Sequence, residues 1–191
     1  FFDTCGYNIN FGENITNNGF FKVYNGVDSI STLRIAKTIT NNSSLEIENL
    51  TINADADSNI INNKGALNVK DTVMHSKYGY DISNTGTGTV SLDTDTVLSS
   101  DDSYSLYNSS PNLVINAGVI QGLYNTGTAV INGGTFNTKL DKTQNTYYTR
   151  YTNGINNEGT ITMNGGIVHN NSVDTNPIIN RGTFNFYNGD L

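Results

Sequence analysis

Carboxylates are the residues of this chain whose spacing comes closest to a reactive set. Asp71, Asp93 and Asp95 follow apolar segments of two neighbouring repeats. Two further acidic pairs are Asp55/Asp57 and Asp101/Asp102. Clustered carboxylates act as acid and base in glycoside hydrolysis or bind Ca²⁺ through oxygen ligands. Because acidic residues at exposed turns also accept backbone hydrogen bonds, we expect no catalytic residue and no cofactor, with Ca²⁺ at Asp71, Asp93 and Asp95 as the alternative.

Histidine and serine give no comparable pattern. Neither His75 nor His169 has a partner at the spacing of a metal site or a catalytic triad, so both are predicted to be surface residues. Nucleophilic serine chemistry needs a base and an orienting acid that converge on one hydroxyl. No serine of this chain is distinguished in that way, and the glycines are periodic rather than grouped in a phosphate-binding loop.

Tyrosines are the candidates for contact with a ligand. Tyr107 and Tyr124 occur in the same Leu-Tyr-Asn sequence, which predicts that both point outward and stack about 4.8 Å apart on neighbouring strands. The segment 137–153 is a predicted inserted loop with further tyrosines, and exposed loop tyrosines often anchor recognition surfaces. Tyrosine also stabilises strands by cross-strand pairing, which is the alternative. The predicted ligand-binding residues are Tyr107, Tyr124, Tyr147, Tyr148, Arg150 and Tyr151.

A repeat centred on asparagine must position these residues. Asn-x-Gly or Asn-x-Ser recurs in one apolar setting with a mean spacing of about 23 residues, which is typical of a solenoid. The repeated asparagines are Asn17, Asn42, Asn63, Asn84, Asn108, Asn125, Asn157 and Asn180. We expect them to stack at equivalent corners as a ladder of side-chain amides. The Gly or Ser two residues later predicts positive φ or a close backbone approach.

Three apolar positions recur in each repeat and predict three short strands. The first lies two residues before the asparagine and comprises Ile15, Thr40, Ile61, Ile82, Leu106, Leu123, Ile155 and Ile178. The second is a pair that alternates with a period of two, as in Leu45/Ile47, which is typical of a strand with one buried face. The third follows a turn and comprises Val27, Ile52, Val73, Val97, Val119, Phe136, Ile167 and Leu191.

Stacking of these repeats would close one continuous apolar core. The predicted fold is therefore all-β, a single-stranded parallel β-helix of about eight coils with three short strands each. Residues 1–14 fit the repeat poorly and are predicted to form a partial coil or a cap, while residues 15–191 form the repeat domain. A right-handed coil follows from the general preference for right-handed crossovers.

Composition agrees with a β-solenoid, and the net charge argues against some classes of binding partner. The chain is 14% charged and 36% hydrophobic, with 19 Gly, 2 Pro and no Trp. A net charge of −7 argues against nucleic acid and anionic membranes, which require a basic surface. No apolar run reaches the roughly 18 residues of a membrane-spanning helix. The single cysteine, Cys5, has no partner for an internal disulfide.

Two segments resemble a known family. Residues 127–136 and 159–167 look like the Gly-Thr-rich repeats of right-handed parallel β-helix adhesins on bacterial surfaces, within the pectin-lyase-like superfamily. The resemblance covers about residues 15–191. It implies a secreted or surface-displayed stalk or adhesive module that is often one part of a long protein, and we expect this chain to be a piece of one.

Three function classes follow. The leading expectation is a non-catalytic adhesin or structural stalk whose partner is a glycan or a host cell-surface protein. The second is a polysaccharide-binding or polysaccharide-degrading β-helix, such as a lyase, a hydrolase or a tailspike-like enzyme, because the same architecture hosts those activities. The third is a self-assembling extracellular filament, since solenoid ends expose strand edges that pair with another copy.

Overall fold

The fold is a parallel β-solenoid. The computed structural model describes residues 1–55, 57–140, 151–171 and 175–191. Along the solenoid, strands pair in parallel with the equivalent strands of the preceding coil, and this stacking continues for about 7 turns. Among the described residues no helix is long and apolar enough to cross a bilayer. The predicted all-β parallel β-helix is therefore confirmed.

Three sheets run along the solenoid. The asparagine sheet comprises Ile15–Asn17, Ile39–Asn41, Ile61–Asn63, Ile82–Asn84, Leu106–Asn108, Leu123–Asn125, Ile155–Asn157 and Ile178–Asn180. The second sheet has a five-stranded part, Phe2–Asp3, Phe20–Tyr24, Ser44–Glu48, Ala66–Lys70 and Thr89–Leu92, and a four-stranded part, Leu113–Ile115, Thr128–Ile131, Thr160–Met163 and Thr183–Phe186. The third sheet comprises Ile9–Phe11, Thr32–Ile35, Thr51–Ala54, Val73–Ser76, Val97–Ser100, Val119–Ile120, Thr135–Asn137 and Ile167–His169.

The N-terminal segment and the two ends of the predicted insertion pair with strands of the structure. Residues 1–14 contribute strands that pair with the next coil, Phe2 with Val23 and Ile9 with Leu33. Lys139–Leu140 pairs with Tyr151–Thr152 in the antiparallel two-stranded sheet, which brings the two ends of the insertion together. The residues between them lie outside the described part of the chain.

The core consists of columns of apolar side chains that all three sheets contribute. The alternating pairs of the second sheet point inward, so that Leu45, Ile47, Leu67 and Val69 are at most 2% exposed. The first apolar position is buried throughout the middle coils, from Ile61 to Ile155. Since no coil can bury these side chains alone, burial against the neighbouring coils stabilises the whole rod.

The third apolar position was predicted one residue too early in several coils. At this position of the third sheet, the buried residues are Leu33, Ile52, Met74, Leu98, Ile120, Phe136 and Val168. Only Ile52 and Phe136 match the prediction, whereas Val73 is 42% exposed and Val27 lies outside the strands at 43%. Val97, Val119 and Ile167 also face outward, and Leu191 is 60% exposed. Pairs such as Val73-Met74 place two apolar residues side by side, so a period of two cannot choose which one is buried.

The asparagine ladder is present and continuous. Each Nδ2 donates to the Oδ1 of the ladder residue in the next coil at 2.7–3.0 Å. The ladder residues are Asn17, Asn41, Asn63, Asn84, Asn108, Asn125, Asn157 and Asn180. The same Nδ2 also reaches backbone carbonyls, as Asn63 does with Gly65 and Thr89, both at 3.0 Å.

One ladder member was predicted wrongly, because Asn41 and not Asn42 occupies the column. Asn41 is fully buried and pairs in register with Asn17 and Asn63. Asn42 is exposed and donates to Asn18 Oδ1 at 2.9 Å. The register also replaces Thr40 by Ile39 at the first apolar position. Both asparagines fit the triplet, and burial of Ile39 decides between them.

Both predicted reasons for glycine after the ladder occur. A Cβ on Gly159 would lie 2.1 Å from the Gly127 carbonyl oxygen, and one on Gly127 would lie 2.3 Å from that of Ser110. Neither of these glycines has positive φ, so close backbone approach applies at their corners. Gly86, which follows Asn84, has a φ of +61° and open space around an added Cβ.

Replacing Asn41 by Ala should destabilise the protein, while the same change at Asn42 should be nearly neutral. Asn41→Ala leaves Asn17 Nδ2 and Asn63 Oδ1 without their ladder partner, and an unsatisfied buried polar group costs about 1–3 kcal/mol. Asn42→Ala removes one exposed contact, worth within about 0.5 kcal/mol. Urea unfolding of both variants measures the difference. Equal losses, or a larger loss for Asn42→Ala, would contradict the ladder assignment.

Candidate functional site

The outer surface of the asparagine sheet carries a group of tyrosines that we call the tyrosine face. It consists of Tyr80, Tyr104, Tyr107 and Tyr124. Tyr107 and Tyr124 lie in register on adjacent strands with ring centroids 5.6 Å apart. Tyr80 stacks on Tyr107 at 5.2 Å with an interplanar angle of 21°, and Tyr104 lies 5.7 Å from Tyr124. The predicted outward, neighbouring placement of Tyr107 and Tyr124 agrees with this geometry.

Sequence reasoning missed Tyr80 and Tyr104. Each lies two residues before a buried residue of the asparagine sheet, Ile82 and Leu106 respectively. This shared spacing in consecutive coils is the signal that would have identified them. It places both at the corner that precedes the asparagine sheet, from which their rings reach the tyrosines of the strands.

Polar groups fix the tyrosine hydroxyls at one end of the face. Tyr104 donates to Asn153 Oδ1 at 3.1 Å, and Tyr124 donates to Glu158 Oε2 at 2.9 Å. Glu158 Oε1 lies 3.7 Å from Arg181 Nη1. The face therefore combines stacked rings with an ion pair at its edge.

The environment raises the pKa of three phenols of the face. The hydrogen bond to Glu158 raises the pKa of Tyr124, with burial as the next cause. Burial raises the pKa of Tyr80 and of Tyr104. The neutral hydroxyls of Tyr104 and Tyr124 donate to Asn153 and Glu158, so the face presents mainly ring surfaces and edges.

The predicted loop residues fall largely outside the described part of the chain. Tyr147, Tyr148 and Arg150 lie outside the described residues. Tyr151 belongs to the short strand Tyr151–Thr152, opposite Leu140, and its side chain is likewise outside the described part. A contribution of the loop to ligand binding stays a prediction.

Asp71 and Asp93, two of the predicted candidates for a Ca²⁺ site, form hydrogen bonds that hold a turn. The backbone N–H of Asp71 donates to Asp93 Oδ2 at 3.0 Å, and Thr96 Oγ1 donates to Asp93 Oδ1 at 2.6 Å. The charges of Asp93 and, less strongly, Asp95 raise the pKa of Asp71. Within the described ranges, no group of three His, Cys, Asp or Glu side chains is arranged to hold a metal ion.

The third sheet brings together a serine, a histidine and an aspartate that sequence spacing did not reveal. His75 Nδ1 lies 3.0 Å from Ser99 Oγ, and His75 Nε2 lies 3.2 Å from Asp101 Oδ2. Ser99 Oγ also lies 3.1 Å from the Met74 carbonyl oxygen, which can only accept a hydrogen bond and so competes with His75 for the serine proton. The three side chains form a cross-strand polar cluster in which the histidine tautomer decides the donor toward Ser99.

The remaining acidic pairs lie on the surface. Asp55 forms an ion pair with Arg34, and both side chains are more than half exposed. Such exposed pairs contribute about 0–1 kcal/mol to the free energy of folding.

Comparison with family models, curated protein sequences and solved structures gives no match for this chain.

Alkaline pH should reveal the tyrosine face in stability measurements. Because the folded-state pKa of Tyr104 is raised, its stabilising effect is complete below the unfolded pKa of about 10 and is lost as pH rises through the higher folded value. Tyr104→Phe should therefore lower stability at neutral pH, through loss of the Asn153 hydrogen bond, and flatten the alkaline decline. Melting temperatures between neutral pH and pH ~11 test this. Tyr187→Phe, at a 74% exposed position, is the control, and identical alkaline slopes for all three proteins would contradict the assignment.

Proposed function

We propose that this chain is a non-catalytic adhesive module, displayed outside the cell, whose tyrosine face contacts a glycan or a protein of another cell surface. The observation that carries the proposal is the grouping of four tyrosines on the outside of the solenoid, with ring centroids of neighbouring members 5.2–5.7 Å apart. The resemblance of residues 127–136 and 159–167 to surface adhesins supports the location.

The solenoid reduces the conformational entropy that the tyrosines lose when a partner binds. The strands that carry Tyr107 and Tyr124 are held by parallel pairing on both sides and by the amide ladder beneath them. Side chains that are ordered before binding lose less conformational entropy when a partner arrives. Tyrosine is also enriched among the residues that dominate binding energy at interfaces.

The chemistry of the face favours an amphipathic, neutral or basic partner. Tyr80 and Tyr107 are nearly parallel, so their facing surfaces are occupied by each other and their edges are left for contacts. The Tyr107 hydroxyl lies 3.3 Å from Thr126 Oγ1. Glu158 and Arg181 add one charge of each sign at the edge. The net charge of −7 opposes a polyanion.

Binding to glycan and host-protein arrays tests the proposal. The wild-type chain should bind a restricted set of targets, and Tyr107→Ser/Tyr124→Ser should weaken that binding about 30-fold, which corresponds to the roughly 2 kcal/mol of a binding hot spot. Tyr7→Ser is the matched control, because Tyr7 is 71% exposed and does not belong to the face. Circular dichroism should show that all variants keep their strands.

Two outcomes would remove the proposal. One is the absence of any target for the wild-type chain and for a longer version of it. The other is an equal loss of binding in Tyr7→Ser and in the double variant. Loss of binding only in the double variant, with its fold intact, supports the tyrosine face as the contact surface.

A further inference from the structure

A second, exposed column of asparagines lies at the corner between the four-stranded part of the second sheet and the third sheet. Asn132 Nδ2 donates to Asn116 Oδ1, and Asn164 Nδ2 donates to Asn132 Oδ1, both at 2.9 Å. All three side chains are exposed. We call Asn116, Asn132 and Asn164 the corner column, and none of them belongs to the buried ladder.

Packing requires glycine after two members of this column. A Cβ on Gly133 would lie 2.3 Å from the Asn116 carbonyl oxygen, and one on Gly165 would lie 2.5 Å from that of Asn132. Asn116 is followed by Ala117. Close stacking of the coils therefore creates two exposed Asn-Gly pairs and one exposed Asn-Ala pair in the same column.

Asn-Gly is the pair in which the main chain most readily attacks the asparagine side chain, because glycine has no Cβ to hinder the attack. The amide nitrogens of Gly133 and Gly165 donate no hydrogen bond to any residue in the described ranges. We propose that Asn132-Gly133 and Asn164-Gly165 are built-in sites of spontaneous deamidation.

The reaction balances without a further reactant besides water. The Gly133 nitrogen forms a bond to Asn132 Cγ, the Cγ–Nδ2 bond breaks, and the backbone amide proton leaves with ammonia. Water then opens the five-membered succinimide at either carbonyl and gives aspartate or isoaspartate. The same steps apply at Asn164 with Gly165.

Conversion changes this corner in two ways. Each event replaces an amide donor of the column by a carboxylate and adds one negative charge to a chain that carries −7. The isoaspartate product also inserts a methylene into the main chain immediately before Gly133, one residue ahead of Gly134, whose φ of +90° defines the tight turn. The corner thus acquires charge and a longer main chain with the age of the protein.

Other Asn-Gly pairs of the same chain serve as internal controls. Asn25 is 4% exposed, with its Oδ1 accepting from Gly6 and Gly26 N–H donating to Asp3 at 3.0 Å. Asn153 is 8% exposed, accepts from Tyr104 and donates to the Asn176 carbonyl. Asn18-Gly19 and Asn188-Gly189 have exposed asparagines and lie outside the column.

Peptide mapping by mass spectrometry, after incubation of the folded protein in mildly alkaline buffer, tests the proposal. Asn132 and Asn164, which are exposed, should convert at least about tenfold faster than Asn25 and Asn153, whose buried side chains cannot rotate toward the main chain without opening the fold. They should also convert faster than Asn116, which differs by the following alanine. In urea, the differences among the Asn-Gly pairs should vanish.

Specific results would overturn this inference. Rates at Asn25 or Asn153 that equal those of Asn132 and Asn164 in the folded protein would show that the fold does not select the sites. Conversion at Asn188 without conversion at Asn132 and Asn164 would show that the hydrogen bonds of the column protect it.

Discussion

The buried amide ladder is the interaction on which the rest of the structure depends. Each ladder asparagine bonds the next coil through its side chain and also reaches backbone carbonyls beside the corner. An amide left unsatisfied in this dry column would cost about 1–3 kcal/mol, so each coil must return to the same place. Sequence intervals between ladder members nevertheless range from 17 to 32 residues. Length variation is therefore confined to the segments between the fixed corners, and the insertion after Asn125 is the largest example.

The close stacking that the ladder imposes accounts for both the glycines and the surface chemistry. Gly127 and Gly159 follow the ladder because carbonyl oxygens of the preceding coil occupy the space of a Cβ. The same constraint at Gly133 and Gly165 leaves exposed Asn-Gly pairs at another corner. Register within the asparagine sheet brings the outward tyrosines Tyr107 and Tyr124 into ring contact. The tyrosine face and the exposed Asn-Gly pairs are thus both consequences of one stacking geometry.

Sequence periodicity predicted the architecture well and the side-chain directions less well. Asn-x-Gly spacing and Leu45/Ile47-type alternation identify the coils because they reflect burial and close approach directly. Asn41 and Asn42 satisfy the triplet equally, and only the packing of Ile39 separates them. Val73-Met74 and similar pairs are apolar on both faces of a strand, so the outward valine could not be recognised. Tyr80, and the contact of His75 with Ser99 and Asp101, depend on the stacking of coils more than 20 residues apart.

Nuclear magnetic resonance of the asparagine side-chain amides tests the central claim most directly. The account predicts slow hydrogen exchange for the Nδ2 protons of Asn41, Asn63, Asn84, Asn108, Asn125 and Asn157, with Overhauser contacts between successive members of the series. Asn42 should exchange rapidly, since its amide is exposed. Rapid exchange at the six buried positions, or Overhauser contacts that place Asn42 between Asn17 and Asn63, would contradict the stacked ladder.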